Sequence, residues 1–403
     1  MAKLNVPRSN MNSERDIINA IIWTRWILRI LGIWPLVYSN TTTIEKILAT
    51  ILFALCWSAL SFLLIPLTIF TLSERTTIYE KIKLLGPLSY VIIATLKYFL
   101  LVIHRKSIRQ CINVLSTDWR AVHQNYRKIM NKNVTKSHVL SKFCTIFMYC
   151  GGLSFHTIMP FLTHTTIDEQ NVTIKPIPYP GFDIIFDLHF TPAYVFVFCA
   201  QWFSGTVLFN ITTAVCCLAA MFVAHACGQI EIVMARIENL VKNVKNSCMK
   251  EHMAIIVKHH IQFCRFSVSI DNILREICLV EIVGATLNIC LLEYYCIMEW
   301  NNNDGIAILT YFILLISFVF NIFTFCYIGE QLTNQCSKIG FASYKIEWYH
   351  LPGKTALDLT LINSISQQPI KITAGKIIIL SFSSFCSVLK TSIAYLNMLR
   401  TLV

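Results

Sequence analysis

The sequence predicts an all-α fold: a polytopic membrane protein of seven transmembrane helices, with a cytosolic N-terminus and an extracellular C-terminus. Three observations carry this reading. Charged residues make up 14% of the chain and hydrophobic ones 55%, with a mean hydropathy of +0.58, whereas soluble chains carry about 25% charge. Seven windows are almost free of charge over about 20 residues, the length at which a helix crosses hydrocarbon with its backbone polar groups satisfied internally. The Lys and Arg residues outside these windows fall 27 on one side and 5 on the other.

The first window, 47–67, has no charged side chain, and the second, 84–103, holds only Lys97. The third, 143–166, and the fourth, 190–224, are uncharged. The fourth is longer than a bilayer requires, so its helix is expected to continue into water or against protein beyond the membrane. The fifth, 277–298, carries Glu281 and Glu293; the sixth, 305–329, carries none; the seventh, 377–399, carries Lys390. Lys97 and Glu281 are expected to snorkel from the inner ends of their helices, and Lys390 to face neighbouring helices. Ahead of the first window, residues 16–38 are apolar but interrupted by Arg25 and Arg29. That stretch reads as an amphipathic or re-entrant segment at the inner surface, not a cleaved signal.

The positive-inside rule places the basic side in the cytosol. The net charge of +12 then serves contacts with anionic inner-leaflet lipid, and no nucleic acid is implied. On that side the connections have helical faces: Leu115, Trp119, Val122, Tyr126 and Ile129; Ile230, Val233, Ile237, Leu240 and Val244; and Ile256, His259, Phe263, Phe266, Ile270, Leu274 and Ile277. Residues 1–403 therefore read as one membrane domain with cytosolic helical extensions over 104–142, 225–276 and 330–376 that pack on one another, or lie as helices on the membrane surface. The connection 167–191 is acidic and rich in proline, an irregular extracellular lid.

Catalytic signatures are absent. His252, His259 and His260 sit in a helical pattern without a carboxylate-bearing zinc motif and read as a packed or solvated face, with no metal or cofactor. The cysteines fall mostly inside the windows and behave as small hydrophobes. Of the Asn-x-Ser/Thr sites at Asn40, Asn133, Asn171 and Asn210, only Asn171 is extracellular in this topology and is the expected glycosylation site. In the outer halves of the windows, Tyr90, His156, Met159, Tyr194, Phe198, Trp202, Thr310, Tyr311 and Leu314 form aromatic and weakly polar clusters. They suit a small apolar ligand or, for Tyr90 and Tyr194 especially, an interfacial aromatic belt. In the last window Ser392, Leu396 and Leu399 share one helical face.

The apolar run 370–400, together with Trp348-Tyr349-His350-Leu351-Pro352, Ser366-Gln367-Gln368-Pro369 and Leu389-Lys390-Thr391-Ser392, resembles the C-terminal signature of insect odorant receptors. The motifs follow family order over about 60 residues; the rest of the chain fits by span pattern. The resemblance implies a ligand-selecting subunit of an odorant-gated, non-selective cation channel, assembled as a heterotetramer with the odorant co-receptor. Its setting would be the plasma membrane of olfactory sensory neurons, in the dendrite. It also implies an odorant pocket among the outer helix halves, with a small volatile apolar ligand, and a hydrophobic gate at the outer end of the last helix. Leu396 and Leu399, with Ser392, are the gate candidates, against lipid-facing packing. The co-receptor itself has a much longer connection between the fourth and fifth windows than the roughly 50 residues present here. Gustatory receptors of the same superfamily carry Thr-Tyr-x5-Gln-Phe where this chain reads Thr391-Ser-Ile-Ala-Tyr-Leu-Asn-Met-Leu. A G-protein-coupled receptor would thread the other way, and a transporter would show paired broken helices in two halves.

Overall fold

A computed structural model describes residues 8–38, 41–73, 78–162, 177–186, 188, 190–243, 249–301 and 303–402. These form α1 (Arg8–Ile30), α2 (Trp34–Val37), α3 (Thr43–Leu72), α4 (Ile78–Ile103), α5 (Arg105–Ala121), α6 (Arg127–Leu162), α7 (Thr191–Asn243), α8 (Met249–Asn301), α9 (Gly305–Lys345), α10 (Gly353–Ser366) and α11 (Phe382–Leu402), with one small hairpin, β1 (Thr373–Ala374) and β2 (Ile378–Ile379). Five helices are long and apolar enough to cross a membrane: α3, α4 from Lys81, α7 as far as Leu240, α8 and α9. The windows 143–166 and 377–399 fall on α6 and α11, which do not meet that measure over the described residues.

Burial explains why these helices belong in lipid. On α3, Cys56, Leu60, Leu63 and Leu67 recur at helical spacing and are buried, while Ile47, Ile51 and Leu55 are about half exposed on the opposite face. On α4, Ile92, Leu96, Phe99 and Ile103 are exposed in the same way. A contiguous apolar surface of this size has no place in water, and the protein is a multi-pass membrane protein. At the start of α3, the Thr42 hydroxyl accepts from Glu45 N, and the Glu45 carboxylate accepts from Thr42 N, a reciprocal cap.

α7 is the central column, buried along its apolar length and packed on α6, α8, α9, α3, α1 and α4. Its 53 residues extend about 80 Å, far beyond ~30 Å of hydrocarbon. α8, also 53 residues, buries Ile256, Phe263, Phe266, Ile270, Leu274 and Ile277 along one face of an unbroken helix. The His225 ring contacts Asp118 at 3.1 Å, His259 hydrogen-bonds Gln229, and His260 is buried. Among the described residues, no group of three or more His, Cys, Asp or Glu is disposed to hold a metal.

Two expectations change. The apolar face drawn through Leu115, Trp119, Val122, Tyr126 and Ile129 is not one helix: α5 ends at Ala121, Val122 is extended, a single turn spans Gln124–Tyr126, and α6 begins at Arg127. The His123 ring accepts from Asn125 N at 3.5 Å, which holds that turn. The 16–38 stretch, expected as an amphipathic or re-entrant segment, is helical with one face buried against the bundle. α1, α2 and the turn between them bury Ile17, Ile21, Leu28, Leu31, Trp34 and Val37; α1 packs against α7, α5 and α6, and Arg127 pairs with Asp16 at 3.4 Å. The last apolar run is not helical from residue 377. Gly375 and Lys376 adopt positive φ of 63° and 61°, turning the chain into the hairpin, and helix α11 starts at Phe382. The side chain of Asp271 on α8 fixes the hairpin, accepting from Thr373 N at 2.7 Å and Thr373 Oγ1 at 2.9 Å. Consecutive β-branched isoleucines favour the extended strand there.

Candidate ligand cavity and final helix

One end of the bundle encloses a cavity of about 530 Å³. Its walls are Tyr90 of α4, Met148, Phe155 and His156 of α6, Phe209 of α7, Leu292 and Tyr295 of α8, and Tyr311, Leu314 and Phe318 of α9. Its roof is the second half of the acidic connection, Ile177 to Gly181 with Asp183 and Leu188. The cavity exists because small residues face large ones across it. A Cβ on Gly152 would sit 2.1 Å from the Phe209 ring, so this glycine is what lets α6 and α7 approach with Phe209 between them.

The roof is tied down on both sides. The Gln201 amide accepts from Tyr179 N at 3.1 Å and donates to Tyr179 O at 2.8 Å, a two-point clamp onto α7. Phe182, fully buried, packs on Phe62 of α3 at a centroid distance of 4.8 Å.

Most polar groups in the lining are already engaged, although His156 Nε2 is buried without a hydrogen-bond partner among the described residues. The Tyr295 hydroxyl donates to Ile82 O at 2.7 Å and accepts from Gly86 N at 3.1 Å. Ser317 donates to backbone carbonyls of Phe147 and Ile313, Asn288 bonds Ser89 and Gly284, and Lys83 pairs with Glu299 at 2.8 Å. The His156 Nδ1 lies 2.9 Å from Gly152 O; a carbonyl only accepts, so Nδ1 is the donor. What remains for an occupant is mostly aromatic and aliphatic surface, which suits a small apolar molecule.

Of the nine residues expected to form a pocket, Tyr90, His156, Tyr311 and Leu314 line the cavity. Trp202 stands behind it, edge-on to the His156 ring at 5.7 Å. Thr310 is buried with its hydroxyl turned back onto Ile306 O. Tyr194 and Phe198 stack on each other at 5.9 Å and do not reach the lining. Met159 belongs to α6, but its side chain lies outside what is described, as does Asn171. Asn133 and Asn210 are buried and bond their own helix backbones. The prolines and glycine of the connection, such as Pro178, Pro180 and Gly181, predict an irregular lid but do not mark its residues as lining, and Phe209, Tyr295 and Phe318 escaped sequence reading.

Beneath the cavity the Tyr90 hydroxyl lies 3.5 Å from Thr212 Oγ1, the first link of a buried polar chain. Lys97 Nζ donates to Thr212 Oγ1 and to Glu281 Oε2, each at 2.8 Å, and Asn321 Nδ2 donates to Glu281 Oε1 at 2.5 Å. Lys97 and Glu281 are 1% and 3% exposed. This corrects the snorkelling expectation: each charge finds its partner sideways, on the facing helix, where the pair and its hydrogen bonds replace water.

α11 lies against α8 and α9. Ser392 is fully buried, within 3.3 Å of Glu293 Oε1, and Leu396 and Leu399 pack against the core on the same side. Lys390, Ile393, Ala394 and Asn397 occupy the exposed side of the single chain, so Lys390 does not face a neighbouring helix of its own subunit as expected.

A model of the 7tm Odorant receptor family matches residues 77–393. Odorant receptor 13a of Drosophila melanogaster is 24% identical over 93% of each chain, and putative odorant receptor 92a of the same species is 22% identical over 81% of this chain and 80% of its own. The fold is similar to that of the insect olfactory receptor OR5 from Machilis hrabei in complex with eugenol, with a TM-score of 0.77 at 15% identity, covering 98% of this chain and 99% of that one. With the family match spanning most of its length, this chain belongs to the 7tm Odorant receptor family.

Proposed function

We propose that this protein is the ligand-selecting subunit of a heteromeric, odorant-gated, non-selective cation channel that works with the odorant co-receptor in the plasma membrane of olfactory dendrites. The observation that carries the reading is the roofed, mostly apolar cavity, whose Tyr295 and Ser317 hydroxyls are engaged internally, in a chain of this family. The receptor of similar fold is one solved with eugenol, a molecule of the size class the cavity suits. Seven helices, α3, α4, α6, α7, α8, α9 and α11, cross the membrane; the N-terminus is cytosolic, and the cavity with its lid faces outside. α11 supplies the pore, with Ser392, Leu396 and Leu399 its gate candidates.

The energetics are sufficient. A ligand binding at about micromolar affinity gains ~8.2 kcal/mol, and moving a gate from 1:99 to 99:1 needs about 5.5 kcal/mol of differential binding. The test is electrical. Expressed alone, the chain is expected to give little ligand-evoked current; expressed with the co-receptor, a robust cation current that needs no nucleotide or G protein. Large currents from this chain alone, in a host without relatives, overturn the obligate partnership.

The threading has its own check. An epitope at Met1 is expected to label only after permeabilisation, and Asn171 to acquire an endoglycosidase-sensitive glycan. Labelling of Met1 on intact cells reverses the topology.

A further inference from the structure

A second cavity, of about 610 Å³, opens on the flank of the bundle between α6, α7 and α9 and shares no lining residue with the ligand cavity. Its two ends differ in chemistry. On α6 the lining is polar from Asn133 to Ser137 and apolar from Val139 to Phe147; on the antiparallel α9 it is apolar from Phe320 to Ile328 and polar at Gln331 and Gln335. The change therefore falls at one level on both helices. The floor is α7, where Ala220, Val223, Ala224 and Cys227 are small enough to leave depth. The apolar stretch of α6 is about 12 Å long, comparable to much of one leaflet's hydrocarbon.

Charge marks the polar end. Lys136 is exposed on the rim and touches Asn133 Oδ1 at 3.5 Å, leaving ammonium donors for a further acceptor. Lys136 and Lys338 both act electrostatically on Cys227 in the floor, with Glu231 as an opposing carboxylate. We propose that this groove binds one anionic membrane phospholipid, its acyl chain lying between Phe143, Phe147, Phe320 and Phe323 and its phosphate held by Lys136 at the polar rim. The membrane placement given under the proposed function underlies this assignment.

The groove wall also reaches the last helix. Phe147 stacks on Phe320 at 4.1 Å, Phe320 meets Phe323 at 6.2 Å, and Phe323 meets Phe382 and Phe385 of α11 at 6.0 and 5.6 Å. A chain seated in the groove bears on this ladder and so on the helix that would form the pore.

The test uses the full-length chain in phosphatidylcholine nanodiscs containing a trace of phosphatidylglycerol with a diazirine on its acyl chain. Photolabelling is expected on 139–147 and 320–328, more strongly than on the lipid-exposed face of α3 at Ile51 and Leu55. Unlabelled phosphatidylglycerol should displace it about fivefold better than phosphatidylcholine, the ratio set by one basic residue near a membrane surface, and Lys136→Gln should abolish that preference. Val223→Trp should fill the floor and remove the label; Phe143→Ala, at an exposed rim position where folding is not at stake, should weaken it several-fold. Labelling no stronger than at α3, labelling indifferent to both wall variants, or disulfide capture of a second copy through Phe143→Cys overturns the assignment. The readout needs neither odorant nor current, so its failure is separable from failure of the receptor reading.

Discussion

Removing either member of the buried Lys97–Glu281 pair should nearly eliminate folded receptor from the cell surface. Glu281→Leu leaves the Lys97 ammonium, 1% exposed, with only the Thr212 hydroxyl at 2.8 Å. Lys97→Met leaves the Glu281 carboxylate with only the Asn321 amide for company in this network. An uncompensated buried charge costs about 3–5 kcal/mol, equivalent to more than 100-fold in a folding equilibrium. The double variant Lys97→Met/Glu281→Leu removes both charges and keeps apolar volume, so it should be milder than either single change, because the cost lies in the unpaired charge and not in loss of the pair. Surface biotinylation, with thermal unfolding of purified protein, measures this. Singles that behave like the parent, or a double variant worse than both, would show that the two charges are not energetically coupled.

This pair also marks where sequence reading stopped. The apolar windows located the five helices long and apolar enough to cross a membrane, because span length and absence of charge are local properties of the chain. The charges inside those windows were visible as well, but their partners lie 184 and 40 residues away, Lys97 to Glu281 and Glu281 to Asn321. No local pattern distinguishes a snorkelling lysine from one whose partner arrives from another helix. The hairpin before α11 was hidden for a similar reason: Ile377 to Leu380 is as apolar as a helix start, and the Asp271 that fixes the adjacent strand belongs to α8.

The cavity divides in the same way. Tyr90, His156, Tyr311 and Leu314 could be chosen from depth and residue type, and all four line it. Tyr194 and Phe198 satisfied the same criteria and do not, because depth along a helix says nothing of azimuth. The connection reads as a lid, but nothing local tells that Tyr179 and its neighbours line the cavity: their place in the roof depends on Gln201, 22 residues on.

Ligand choice and conduction should separate by element. His156 is fully buried, lines the cavity, and contacts Tyr179, Trp202 and Phe209 edge-on at 5.4 to 5.7 Å. His156→Ala removes a wall that touches the occupant and the support of the roof residue Tyr179. A lost apolar contact of about 1.5–3 kcal/mol predicts a shift of roughly 10- to 150-fold in half-maximal odorant concentration, or a change in which odorants act. Trp202→Ala acts only through the His156 ring and should shift it less in the same direction. Leu396→Ala and Leu399→Ala leave the cavity intact and should alter basal opening or permeation, since an apolar constriction closes by excluding water. Dose–response curves in cells expressing the chain with the co-receptor, corrected for surface abundance, distinguish the two effects. An unchanged odorant profile in His156→Ala, alongside a reshaped profile and normal basal current in Leu399→Ala, would place ligand selection on the last helix and remove it from the cavity.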